Sequence, residues 1–296
     1  MIDVDANLKE IKYLNLFAQA KISILANSRK SFKDLNYKFI VFPKFPNKEN
    51  DVDFLLYNPE LAVALLIEIK GGASVEEEDI EQIKSYQKHS IKELKIVLER
   101  LEIENPKINN FYTGIVYPKS TIESCNCSQE CKERLERIKK DFILMTMEAG
   151  GELNALNPKK INWDSNLKKE LDSGINLPKY PKKEILFNDK PNYKIIIIGL
   201  IDYLFTLFNS EIKGNIWKST LDSLRIQLSE YRIQRRNLKK AINFLRDKNY
   251  IKADTFKNLE FERKKIEELY YNRSKFISKI KSYKYGELEK YFSENE

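Results

Sequence analysis

The run Leu61-Ala62-Val63-Ala64-Leu65-Leu66-Ile67 is apolar at both parities and ends in Glu68-Ile69-Lys70. A strand with one face to water alternates apolar and polar residues, whereas one that is apolar throughout is covered on both faces. Asn58-Pro59-Glu60 before it and Gly71-Gly72 after it are turn and break signals that hold the segment to strand length. A buried central strand needs neighbouring strands and helical layers, so the segment commits the chain to an α/β fold with a mixed sheet flanked by helices. It also poses a problem, because ionisable groups that close such a strand are costly unless paired or bound to a cation.

The surrounding pattern fills in that layout. Apolar residues at near-helical spacing over 5–30 predict a first helix, followed by strands over 37–45, 52–57 and 61–70. A helix begins after Ser74, with Glu76, Glu77, Glu78 and Asp79 in a first turn where the helix dipole favours negative charge. That acidic run reads as dressing of the helix end rather than as a metal site. Further helices are expected over 91–103 and 128–140, with strands over 111–117 and 142–147. Residues 150–193, rich in Asn, Lys, Pro and Gly, read as an irregular connection or an extension of the first domain.

Beyond residue 193 the pattern changes. Helices are expected over 195–208, 219–229 and 233–248, then a ribbon through Phe261 and a basic helix over 262–283. The third of these helices has Leu238, Ala241, Ile242 and Leu245 on one face, and Arg232, Arg235, Arg236, Lys239 and Lys240 opposite. The net charge of +8 belongs entirely to this part: residues 194–296 carry 22 Lys+Arg against 14 Asp+Glu, and residues 1–193 carry 30 of each. A basic module beside a neutral one is the layout of a polyanion-binding arm on a second functional unit. The expected division is residues 1–150, a linker or extension over 151–193, and a second domain over 194–296. The longest apolar runs fall short of the ~20 residues that span a bilayer, so no membrane partner is expected. The acidic N-terminus lacks a signal-peptide layout, so an intracellular, cytoplasmic protein is expected. Cys125, Cys127 and Cys131 lack a fourth donor nearby, and their odd number argues against a disulfide framework; free thiols in a loop are expected.

Asp53 opens one apolar strand, and Glu68 and Lys70 close the next. Carboxylates at neighbouring strand ends suit a hard divalent cation such as Mg²⁺, for which Mn²⁺ substitutes, and Lys70 shares the face of Glu68 because side chains alternate. Such a trio serves metal-assisted phosphodiester hydrolysis: the cation lowers the pKa of a bound water, and the lysine orients it or offsets developing charge. Asp51 is a rival for Asp53. Gln82 and Tyr86 lie one turn apart on one face of the following helix.

Val52-Asp53, Glu68-Ile69-Lys70 and Gln82-Ile83-Lys84-Ser85-Tyr86 together resemble the PD-(D/E)XK nuclease superfamily over roughly residues 5–148. Within it they are closest in style to RecB-like, Cas4-like and type I restriction nuclease domains. The resemblance implies a restriction-endonuclease-like core of helix, three strands, helix and strand. It implies Asp53, Glu68 and the Ile69 carbonyl as metal ligands, Lys70 as the water-assisting lysine, and Gln82 and Tyr86 as positioning groups. Glu10 is the candidate for an acid added from the first helix. Val52 stands where the family often has proline. The C-terminal order of three helices and a strand pair resembles a winged helix-turn-helix, in which Arg235 and Arg236 would meet base edges or phosphates and Lys239 and Lys240 phosphates.

The expectation is a Mg²⁺-dependent DNA endonuclease of restriction, defence or mobile-element type, working as a homodimer or with a partner subunit. A repair, recombination or viral replication nuclease acting on branched or single-stranded DNA is the alternative within the class. A DNA-binding regulator that keeps a degenerate nuclease fold is the alternative outside it.

Overall fold

β2 (Phe54–Asn58) and β3 (Val63–Ile69) are buried at every position, while the first two residues of the apolar run stay out of the strand, Leu61 exposed and Ala62 at a positive φ of 53°. A computed structural model describes residues 4–21, 30–46, 52–177, 193–229 and 235–282. It divides into two compact units, Lys12–Tyr180, and Met1–Ile11 with Pro181–Glu296.

The first unit is built on a seven-stranded mixed sheet whose strands lie in sequence order. β1 (Lys38–Val41), β2 and β3 are antiparallel neighbours. β3, β4 (Asn110–Pro118) and β5 (Ile143–Met147) run parallel, and β6 (Glu152–Ala155) and β7 (Ile175–Asn176) return antiparallel at the far edge. Parallel neighbours need helical crossovers. α2 (Glu77–Tyr86) and α3 (Ile91–Glu99) join β3 to β4, and α4 (Lys119–Cys125) and α5 (Gln129–Asp141) join β4 to β5. α3 starts as Ser-x-x-Glu spacing dictates: the Ser90 hydroxyl accepts from the Glu93 N–H at 3.2 Å, and the Glu93 carboxylate accepts from the Ser90 N–H at 2.7 Å.

Both faces of the sheet are covered. On one, Leu55, Tyr57, Leu66, Ile115 and Leu144 pack with Ile80 and Ile83 of α2, Leu94 of α3 and Leu135 of α5. On the other, Phe17 of α1 (Val4–Ala18) places its ring 5.0 Å from Phe54, 5.6 Å from Phe39 and 5.9 Å from Phe32. Each fully buried Leu or Phe contributes roughly 1.5–3 kcal/mol.

Several expectations change here. The first strand stops at Val41, because Phe42 takes a positive φ of 49°. Of the long first helix, α1 accounts for the part to Ala18, and residues 22–29 lie outside the described residues. Of the two readings of the segment after residue 150, the described part to Leu177 is an extension of the first unit rather than an irregular connection: it forms β6, a 3-10 turn over Pro158–Lys160, α6 (Ser165–Ser173) and β7. The Asp164 carboxylate caps α6 by accepting from the N–H groups of Asn166 and Leu167, both at 3.0 Å. Gly174, with φ of 84°, ends the helix, and a Cβ there would meet Glu152 Oε1 at 2.5 Å. The cysteines also depart from free thiols: Cys125 and Cys131 are joined in a disulfide, and Cys127 is free and exposed. The reason is local. The end of α4 and the first turn of α5 bring the two Cα atoms to 5.0 Å, inside the range a disulfide spans.

In the second unit α7 (Tyr193–Ser210) packs against α9 (Arg235–Asp247) and α10 (Arg263–Tyr271). α8 (Leu221–Ser229) precedes α9, and β8 (Ile216–Ser219), β9 (Lys252–Thr255) and β10 (Asn258–Glu262) form an antiparallel sheet in the order β8-β10-β9. Leu238, Ala241, Ile242 and Leu245 are the buried face of α9. The helix expected over 262–283 is broken at Asn272 into α10 and α11 (Arg273–Ser282). Arg273 holds Asp202 of α7 with contacts of 2.9 and 2.6 Å. Among the described residues no helix is long and apolar enough to cross a membrane.

Candidate active site

The register of β2 against β3 fixes the site. Phe54 pairs with Ile67 and Leu55 with Leu66, so continuing that register past the end of β2 sets Asp53 against Glu68, and Asp53 Oδ2 accepts from the adjoining Ile69 N–H. Directly opposed residues share a face, and alternation puts Lys70 there as well. That face is the one covered by α2. Asp53 and Glu68 are 8% and 5% exposed, so both carboxylates are held in the sheet rather than in solvent.

α2 completes the cluster. Asp79, Gln82 and Tyr86 lie at i, i+3 and i+7 and so share a helix face. Glu68 accepts at both oxygens: Oε2 from the Tyr86 hydroxyl at 2.6 Å, and Oε1 from Gln82 Nε2 at 2.8 Å and from the Lys70 ammonium at 3.1 Å. Gln82 Nε2 also donates to the Tyr86 oxygen at 2.8 Å, and Gln82 Oε1 accepts from Lys70 at 2.5 Å. The amide is thereby fixed in one orientation, donating toward the carboxylate and accepting from the lysine. Asp53 Oδ2 accepts from the Ile69 N–H at 2.8 Å.

Two groups that the sequence did not single out join them. Asp79 Oδ1 lies 3.3 Å from Lys70, and Asp79 Oδ2 accepts from the Tyr117 hydroxyl of β4 at 2.7 Å and from the Glu76 N–H at 3.1 Å. The acidic run is therefore of two kinds. Asp79 turns inward to the site, while Glu77 turns outward to Arg137 at 2.6 Å. A helix-end explanation accounts for the cap on Glu76 but not for the lysine or the tyrosine.

Electrostatics sets the protonation states. Burial by itself would lower the Lys70 pKa, but the charges of Glu68, Asp79 and Asp53 outweigh it and hold the value above that of an ordinary lysine. Lys70 is thus a charged donor at neutral pH rather than a base. Burial, reinforced by Glu68 and Asp53, pushes the Tyr86 phenol well above its usual range, and burial with Asp79 does the same for Tyr117. Both hydroxyls remain protonated and donate.

The donor set fits a hard cation in a particular way. The Lys70 N–H donates to the Val116 carbonyl on the β4 side at 2.9 Å. In a trans peptide the preceding carbonyl points the opposite way, so the Ile69 C=O faces the β2 side, where Asp53 lies. Asp53, Glu68 and that carbonyl are oxygen donors, and Mg²⁺ is commonly held by one or two carboxylates while keeping several waters. Among the described residues no group of three or more His, Cys, Asp or Glu side chains is arranged to hold a metal.

The other sequence candidates fall elsewhere. Asp51 and Arg232 lie outside the described residues. Glu10 belongs to the part of α1 grouped with the second unit. Arg235 and Arg236 are exposed on α9, and Lys239 and Lys240 are half-buried there. Arg235 pairs with Asp222 at 3.2 Å, and the Lys239 ammonium sits 5.4 Å from the centre of the Phe256 ring. Comparisons with models of protein families, with curated proteins and with solved structures find no match to this chain.

Proposed function

We propose that the chain is a Mg²⁺-dependent DNA endonuclease whose first unit is a restriction-endonuclease-like, PD-(D/E)XK-type catalytic domain. In the same reading the second unit is a winged-helix DNA-binding domain. The observation that carries the proposal is the opposition of Asp53 and Glu68 across β2 and β3, with Lys70 on their face and Gln82 and Tyr86 closing on Glu68. Asp53, Glu68 and the Ile69 carbonyl would hold the cation, which when bound supplies an acidified water and offsets charge on the phosphate. Lys70 contributes a fixed positive charge beside the reacting phosphate, where charge builds up in the transition state. Gln82 orients both Glu68 and Lys70, and Tyr86 keeps Glu68 from rotating. The cations of α9 provide the phosphate-binding surface of the second unit, a role that needs charge and reach rather than sequence readout.

One observation favours the reading in which the fold binds DNA without cutting it. Both Glu68 oxygens are already satisfied by protein donors, as a purely structural buried network would also require. The discriminating experiment incubates the purified chain with Mg²⁺, and separately Mn²⁺, on supercoiled plasmid, linear duplex and branched DNA. Cleavage of duplex supports the endonuclease. Cutting confined to junctions or ends supports a repair-type nuclease, and salt-sensitive binding without cleavage supports the regulator.

A further inference from the structure

We infer that Asp79, fixed by Tyr117, is the second anchor of Lys70, holding the ammonium in the site when Glu68 turns toward a divalent cation. This deepens the nuclease reading and rests on it. Asp79 is a positioning residue, acting through Lys70.

The geometry assigns its two oxygens separate tasks. Oδ2 is held by two donors from different elements, the Tyr117 hydroxyl and the Glu76 N–H, and Oδ1 is left directed at Lys70. Capping α2 needs only the contact to Glu76. Tyr117 is fully buried, and its hydroxyl reaches Asp79 from a strand 38 residues away in sequence. Its contact orients the carboxylate toward the lysine and adds nothing to the helix end.

Glu68, in contrast, is heavily used: Oε1 serves both Lys70 and Gln82, and Oε2 serves Tyr86, three of the roughly four acceptor sites of a carboxylate. A cation drawn to this carboxylate is repelled by one of these donors in particular, the charged Lys70, which is the one it displaces. Without Asp79, the lysine would stay on Glu68 and compete with the cation for that carboxylate. With Asp79, Lys70 keeps a carboxylate and the Gln82 oxygen. Asp79 therefore strengthens cation binding chiefly through Lys70, beyond the through-space attraction of its own charge.

That distinction is measurable without any cleavage. Mg²⁺, with Mn²⁺ in parallel, is titrated calorimetrically into four full-length proteins in the absence of DNA: the unsubstituted chain, Asp79→Asn, Lys70→Met and the double variant. Asp79→Asn is expected to weaken binding at least about fivefold more in the Lys70 chain than in the Lys70→Met chain, the low end of couplings between linked groups. Tyr117→Phe gives a smaller loss that likewise depends on Lys70, and it carries the same comparison if Asp79→Asn fails to fold. Equal losses in both backgrounds reduce Asp79 to a through-space charge and overturn the inference. An unchanged affinity in Asp79→Asn overturns it as well, while leaving the nuclease reading standing. If the unsubstituted chain takes up neither cation, the inference falls, and plasmid cleavage alone decides the nuclease reading.

Discussion

Replacing Lys70 by Met tests whether the site is a buried charge network. The ammonium contacts Gln82 at 2.5 Å, Glu68 at 3.1 Å and Asp79 at 3.3 Å. Methionine fills much of the same volume but leaves Glu68 and Asp79 without their cation. Removing one partner of a fully buried pair costs about 3–5 kcal/mol. The Lys70 and Asp79 side chains are 16% and 13% exposed, so water screens part of the loss. The low end, about 3 kcal/mol, is therefore expected. Adding Glu68→Gln removes one of the two stranded charges and should recover part of that loss. Urea unfolding followed by Trp163 reads the effect in the first unit, since Trp163 stacks on Tyr112 at 3.6 Å. The other tryptophan, Trp217, is replaced by Phe in every variant so that the signal comes from one unit. With a urea slope of roughly 2 kcal/mol per M, the midpoint falls by about 1.5 M. The pH dependence has a defined sign. The folded-state pKa of Lys70 is raised, so its contribution is complete below the unfolded lysine value of about 10.4 and is lost as pH rises through the folded value. The gap between parent and variant should hold steady from about pH 7 to 9 and shrink only in strong alkali. A midpoint shift under about 0.5 M, or a double variant less stable than Lys70→Met, would refute a buried charge network at this position.

Other variants separate chemistry from folding. Asp53→Asn retains an acceptor for the Ile69 N–H and should fold with little loss while abolishing cleavage, whereas Asp53→Ala strands that buried N–H and should cost about 1–3 kcal/mol in urea. Tyr86→Phe removes the hydroxyl that donates to Glu68 at 2.6 Å and should destabilise the first unit by about 1.5–3 kcal/mol, as lost hydrogen bonds to charged groups do. Gly174→Ala should cost about 1–3 kcal/mol, because φ of 84° strains a side chain that would also meet Glu152, and a neutral result would show that the turn relaxes. Arg236→Ala should lower the slope of log affinity for duplex DNA against log salt by about 1 if the exposed guanidinium meets a phosphate; an unchanged slope removes Arg236 from the interface.

What the sequence made legible follows from short-range periodicity. Period two placed Lys70 beside Glu68, and helical spacing placed Gln82 beside Tyr86, because each pair sits on one regular element. The register that brings Asp53 to Glu68 was not legible: a turn at Asn58-Pro59-Glu60 with a strand from Leu61 would set Asp53 against Leu65, whereas the connection is Pro59–Ala62, with Ala62 at a positive φ of 53° and Asn58 paired with Val63. Asp79 was hidden by its neighbours. Four consecutive acids at a helix start satisfy the dipole whichever of them points inward, and only its spacing from Gln82 and Tyr86, three and seven residues, marked it out. Tyr117 gave no local signal, because its partner comes from another element. β6 alternates over only four residues, Glu152-Leu153-Asn154-Ala155, and β7 has two, and the disulfide depended on how α4 meets α5, a relation that sequence spacing does not carry.

The measurement that bears most directly on the account is conversion of supercoiled plasmid by three full-length proteins at equal concentration with Mg²⁺: unsubstituted, Asp53→Asn and Lys70→Met. The unsubstituted chain is expected to nick or linearise the plasmid and to lose that activity when the cation is chelated. Both variants bind the DNA and leave it intact. Cleavage that survives both substitutions, or no cleavage by the unsubstituted chain with either Mg²⁺ or Mn²⁺, contradicts the account.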